Sequence, residues 1–254
     1  MDAADTLFTL GYPDAMPFES ICLITFDCYG TLIDWENGML AALRPLLSRL
    51  LLPKNGRRVS DLQILELYGE IEAELESEPY LPYRQVLAQA AQEIGRRLGT
   101  EISAEEGSAF AESLTRWKPF IDTVPALQSL ARRFRLGIIS NVDDDLFAET
   151  RKTLAAVEFD FVVTAQQMRS YKPSHKNFEE AIRRSGLSKD QVLHVGQSFY
   201  HDIAPANALG IQSVWVNRPS IRPGSGAARP GTATPNYEVH SLAELSALLS
   251  AASA

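Results

Sequence analysis

The sequence predicts an α/β fold: a doubly wound, Rossmann-like parallel sheet interrupted by one all-helical insertion. Three observations lead there. Five short apolar runs, each rich in Ile, Val, Leu or Phe and each ended by polar or small residues, read as buried strands at 21–26, 136–140, 159–163, 192–195 and 213–216. The last four are separated by stretches of helical period at 145–157, 177–185 and 203–209, an alternation that indicates parallel strands with crossover helices. Between the first strand and the rest, no strand pattern occurs.

In chain order, the first strand runs into ITFDCYGTLIDW, where an apolar segment ends on a lone carboxylate, Asp27, followed by a Gly-containing turn. The strandless stretch then carries amphipathic helices at 38–51, 60–76, 83–98 and 104–117. Gly99 is placed to end the third of these, and Ser103 with Glu105 and Glu106 to start the fourth. An insertion of this kind is expected to form a separate cap over residues 35–117, leaving a discontinuous core of 1–34 and 118–254. Near the end, NRPSIRPGSGAARPGTATPN reads as an exposed, mobile loop without chemistry.

Composition narrows the function classes. A chain of 254 residues with 45% hydrophobic residues, 22% charged residues and a net charge of -8 is an ordinary globular composition. It has no clustered basic patch, so nucleic acid is not an expected partner, while a local positive pocket could still hold a small anion. The start lacks a basic n-region and no apolar run approaches a membrane span, so no membrane partner and a cytoplasmic location are expected. The two cysteines, Cys22 and Cys28, lie roughly 20 Å apart on an extended strand, too far to bridge. Both are expected as buried, reduced thiols.

In an open parallel sheet, ligands bind outside the carboxyl ends of the strands. The residues delivered there are Asp27, Tyr29 and Thr31 from the first strand and Ser140 and Asn141 from the second. Lys172, before Pro173, follows the third, and Gln197, Ser198 and Asp202 follow the fourth. Taken singly, each has a structural reading as a turn residue, a helix cap or a solvated lysine. Taken together, they converge on one edge.

That set resembles the haloacid dehalogenase superfamily, whose members share a doubly wound core with an inserted cap. The family's first motif, a strand ending in Asp-x-x-Gly-Thr-Leu, is matched by Asp27 to Leu32; its second by Ser140; its third by Lys172; its fourth, in part, by the turn from Gly196 to Asp202. A helical insertion directly after the first motif resembles the subclass I cap. Most family members are phosphatases with a second Asp two residues after the first, which protonates the departing alkoxide beside a magnesium ion. Here Tyr29 stands in that place, and a neutral tyrosine with a pKa near 10 is a poor proton donor. Gln197 likewise replaces an acid. Halide departure needs neither proton nor magnesium, and Asp-x-Tyr-Gly-Thr is the form of the 2-haloacid dehalogenase branch.

The resemblance therefore implies a cofactor-free hydrolase that cleaves carbon–halogen bonds of short 2-haloalkanoic acids, small halogenated carboxylates. Asp27 would form an ester, water activated near Asp202 would hydrolyse it to a 2-hydroxy acid, and Lys172 would keep Asp27 ionised. Ser140, Asn141, Thr31, Tyr29 and Ser198 would form the substrate-binding set, with Trp35 and Tyr200 as further walls. The family often forms homodimers, which the apolar cap helices could support. The branch's cap Arg has no counterpart in ELYGEIEAELESEPY, where Glu74 or a neighbouring acid appears; Arg44 or Arg84 would have to reach in from elsewhere. Phe178 stands where the branch often has Tyr. The alternatives are a magnesium-dependent phosphatase of small phosphomonoesters and a non-catalytic binding member of the fold.

Overall fold

The structure is a computed structural model that describes residues 18–48, 59–77, 79–218 and 232–251. The first 17 residues, the expected end of the first insertion helix at 49–51 and most of the Pro/Gly-rich loop, 219–231, lie outside the described residues.

Six strands form one parallel sheet in the order β3-β2-β1-β4-β5-β6. They are β1 (Leu23–Phe26), β2 (Arg135–Ser140), β3 (Phe161–Thr164), β4 (Val192–Gly196), β5 (Gln212–Val216) and β6 (Tyr237–Val239). β1 and β4 are buried throughout, which is why their sequences are continuous apolar runs rather than alternating ones. The chain builds β2 and β3 on one side of β1, then returns to place β4 on the other. That reversal opens a crevice at the carboxyl ends of β1 and β4.

The stretch after β1 is helical, with α1 (Trp35–Leu47), α2 (Asp61–Ser77), α3 (Tyr83–Leu98) and α4 (Ala104–Ser113), then a 3-10 turn at Leu114–Arg116. These helices pack chiefly on one another. Three of them start or stop for a local reason. Asp34 caps α1 by accepting from the Asn37 amide. Gly99 ends α3 in the left-handed conformation, φ 84°. Ser103 and Glu106 form a reciprocal capping box at α4, the Ser103 hydroxyl accepting from the Glu106 amide at 3.3 Å. The fourth helix ends earlier than expected, so Trp117 is extended rather than helical.

The remaining helices are α5 (Thr123–Leu130), α6 (Asp144–Thr153), α7 (Ala165–Met168), α8 (His175–Ser185), α9 (Ala204–Ala208) and α10 (Leu242–Ala251). A π-helical turn, Phe199–Ile203, precedes α9 where a plain turn was expected. Two sequence expectations need correction. Cys28 is buried as expected, but Cys22 is exposed, because it precedes β1 rather than sitting within it. The third strand begins two residues later than read, after Asp160 has paired with Arg135. Among the described residues no helix is long and apolar enough to cross a membrane.

Candidate active site

Asp27 follows β1 directly, and its amide continues the ladder by donating to the Val195 carbonyl at 2.9 Å. The chain then turns back sharply: the Leu32 and Ile33 amides both donate to the Cys28 carbonyl, at 2.8 and 3.0 Å. Gly30 makes the turn at φ +100°, where a side chain would also meet the Trp35 indole nitrogen at 2.9 Å. The reversal brings the buried Thr31 hydroxyl 2.7 Å from Asp27 Oδ2, to which it donates, while it accepts from the Gln197 amide at 2.9 Å. Thr31 therefore ties β1 to β4 and fixes one Asp27 carboxylate oxygen; it does not line the cavity.

Lys172 is fully buried and uses all three ammonium donors: on Asp27 Oδ1 at 2.8 Å, Asp202 Oδ1 at 2.7 Å and the Ile139 carbonyl at 3.0 Å. Its backbone is held by the Asn141 side chain, which accepts from the Lys172 amide at 2.7 Å and donates to its carbonyl at 3.2 Å. The Asn141 amide group is thus committed to the lysine loop as well as bordering the cavity.

Asp202 lies on the π-helical turn, fully buried, with Oδ2 accepting from the Ser198 amide at 3.1 Å and His194 Nε2 3.3 Å from Oδ1. It folds so closely over the end of β4 that a Cβ at position 196 would stand 2.4 Å from its Cγ, so Gly196 is required there.

These contacts set the charges. Burial pushes the Asp27 carboxyl above its usual range, opposed by the Lys172 ammonium and by hydrogen bonds from Lys172 and Thr31. Burial also acts against Asp202, but Lys172 and His194 outweigh it and hold that carboxyl well below the usual range. The lysine charge, disfavoured by burial, is kept by the two facing carboxylates, which raise its pKa above the ordinary value.

The cavity around Asp27 is lined by Tyr29, Trp35, Ser140, Ser198 and His201, with Glu72, Glu76 and Tyr83 facing them from the helical insertion. The cavity is small, with a volume of about 60 Å³. The Ser140 hydroxyl is fully buried and has no hydrogen-bond partner among the described residues. The Tyr29 hydroxyl is turned away, 2.8 Å from Thr150 Oγ1, and burial raises its pKa well above the ordinary phenol. Tyr29 therefore offers the cavity a ring and no acid.

Several sequence candidates fall elsewhere. Tyr200 lines an adjoining cavity that shares Glu76, Lys172 and His201 with the first. Arg44 pairs with Asp61, and Arg84 with Asp145 and Glu112, so neither lines the cavity. Glu74 faces outward onto Arg97 at 2.6 Å. The acids that do face Asp27 are Glu72 and Glu76. Glu72 is buried and accepts from the Tyr68 and Tyr83 hydroxyls at 2.8 Å each, and burial raises its pKa. The α2 periodicity carried the signal: buried Ile64, Leu65, Tyr68 and Ile71 mark the inner face, and Glu72 continues it while Glu70 and Glu74 point to Arg97. Phe178 packs edge-on to His194, ring centroids 4.9 Å apart, behind Asp202.

The site is built around a lysine rather than a magnesium ion: Asp27 and Asp202 share the Lys172 ammonium, which already supplies the positive charge between them, and the neutral Gln197 stands where a further acid was expected.

A family model described as haloacid dehalogenase-like hydrolase matches residues 21–210. The (S)-2-haloacid dehalogenase of Pseudomonas sp. (strain YL) is 26% identical over 221 residues, 86% of this chain and 90% of that protein. The glyceraldehyde 3-phosphate phosphatase of Methanothermobacter thermautotrophicus is 33% identical over 102 residues, 39% of this chain and 45% of that protein. Among solved structures, L-2-haloacid dehalogenase from Xanthobacter autotrophicus superposes with a TM-score of 0.74 at 20% identity, covering 91% of this chain and 98% of that one; the two share a fold.

Proposed function

The chain belongs to the haloacid dehalogenase-like hydrolases, and on that premise we propose that it hydrolyses the carbon–halogen bond of short 2-haloalkanoic acids through an ester on Asp27. The observation that carries this reading is the pairing of a buried nucleophile-grade carboxylate with the Lys172 ammonium, in a cavity whose Tyr29 hydroxyl is turned away. A leaving group that needs a proton finds no acid two residues after Asp27. A halide needs none.

In the first step an oxygen of Asp27 displaces the halide at the substrate's second carbon, inverting that centre. Lys172 and Thr31 hold the carboxylate ionised and in line. The unpartnered Ser140 hydroxyl donates to the substrate carboxylate, the ring of Tyr29 and the indole of Trp35 keep water from the carbon, and Ser198 borders the far side. In the second step water attacks the Asp27 carbonyl carbon, and the oxyanion forms beside the Lys172 ammonium. We read residues 35–117 as the cap that closes this cavity over a core of 1–34 and 118–254.

The test is halide release from 2-chloropropionate and from chloro- and fluoroacetate in excess EDTA, beside a phosphate-release assay with magnesium. EDTA-resistant halide release that disappears in Asp27→Asn, with reversion to Asp excluded by mass, is the expected result. Magnesium-dependent phosphate release without halide release contradicts it.

A further inference from the structure

Hydrolysis of the Asp27 ester requires the attacking water to lose a proton, a task that the family resemblance gives to Asp202. Asp202 is poorly suited. It is fully buried, Oδ1 faces Lys172 and His194, Oδ2 accepts from the Ser198 amide, and Lys172 holds it too acidic for an effective base.

His201 is differently placed. It lines the same cavity as Asp27, with Nε2 3.7 Å from Glu76 Oε2 and Nδ1 3.4 Å from Ser198 Oγ. The π-helical turn fixes the second contact, since the His201 amide also donates to Ser198 Oγ at 3.1 Å. Glu76 comes from α2, across the cavity, so the arrangement forms only where the insertion meets the sheet edge. Contacts of this length are common before a substrate closes the site.

We propose that His201 is the general base of the second step, oriented by Glu76 and reached through the Ser198 hydroxyl. The proposal rests on the ester reading above. The tautomer that turns Nε2–H toward Glu76 leaves Nδ1 an acceptor for the Ser198 hydroxyl proton. As the water oxygen bonds to Asp27 Cγ, the water proton moves to Ser198 Oγ and the Ser198 proton moves to Nδ1. The imidazolium forms beside the Glu76 carboxylate, and the tetrahedral oxyanion beside Lys172. Collapse breaks the bond from Cγ to the alkoxide oxygen, which takes the proton back along the same path and leaves as the 2-hydroxy acid. The regenerated Asp27 carboxyl releases its proton to solvent, and the water oxygen stays on Asp27.

The test is rapid-quench kinetics with 2-chloropropionate on the wild-type chain, His201→Asn and Glu76→Gln. The expected variants release about one chloride per chain at the wild-type rate, then turn over about 10²-fold slower or more. Intact mass of the quenched variants shows the added acyl group, mapped to Asp27. Glu76→Asp, which keeps the carboxylate, clears the ester faster than Glu76→Gln. Wild-type turnover in His201→Asn, or slow turnover without a burst and without an ester, overturns the relay. If His201→Asn does not fold, Glu76→Gln carries the same outcomes from another element. No chloride release from the wild-type chain overturns the reaction itself, a result separate from the variants' behaviour.

Discussion

The Lys172 ammonium lies 2.8 Å from Asp27 Oδ1, both groups buried at the carboxyl edge of the sheet. The same ammonium reaches Asp202 at 2.7 Å, so one positive charge is shared by two carboxylates. Lys172→Met leaves both acids without a counterion. Activity is expected to fall by about 10²-fold or more, and stability by about 3–5 kcal/mol, the cost of breaking a buried pair from one side. Denaturant unfolding and halide release check the two effects; a variant with wild-type stability contradicts the pairing.

Asp27 must be ionised to attack, and burial raises its pKa above 3.8. Activity should therefore be lost as pH falls through a value higher than an ordinary aspartate's. The limb is read in kcat/KM, which covers the steps through halide departure. Thr31→Val removes a hydrogen bond that lowers this pKa, so its limb moves to higher pH. A downward move, or a limb at 3.8, contradicts the account.

Tyr29→Phe removes a hydroxyl that faces Thr150 rather than the cavity. The expected cost is about 1 kcal/mol of stability, with kcat within about twofold of wild type, since no proton transfer passes through this ring. A large loss of kcat in a stable protein would restore Tyr29 as a proton donor.

Ser140→Ala separates binding from folding. The hydroxyl is buried and unpartnered, so its removal is expected to stabilise the protein by about 1 kcal/mol. The same change raises KM for 2-haloacids about tenfold, the loss of one hydrogen bond to a carboxylate. Steady-state kinetics and thermal unfolding of one variant read both signs.

Strand ends were legible because fully buried parallel strands are short apolar runs, so the first polar residue after each marks the sheet edge. Asp27, Ser140, Lys172 and Asp202 all stand where that reading put them relative to their strands. β6 escaped because it has three residues, of which Val239 alone is buried, and α10 followed it out of view. The cap side of the cavity was harder. Its acids lie in a helix crowded with Glu, and helical phase, not residue type, decides that Glu72 and Glu76 face Asp27 while Glu74 meets Arg97. His201 carried no strand-end signal, because the π-helical turn that aims it is one residue wider than an α-turn and is set by how Asp202 folds over Gly196.

The most direct test of the Asp27 ester is a single turnover of 2-chloropropionate in ¹⁸O-labelled water with enzyme in excess. The account predicts that the label enters the protein, in a peptide containing Asp27, while the 2-hydroxypropionate released in that turnover carries none. Label in the hydroxy acid, with Asp27 unlabelled, would mean that water displaces the halide directly and that no ester forms.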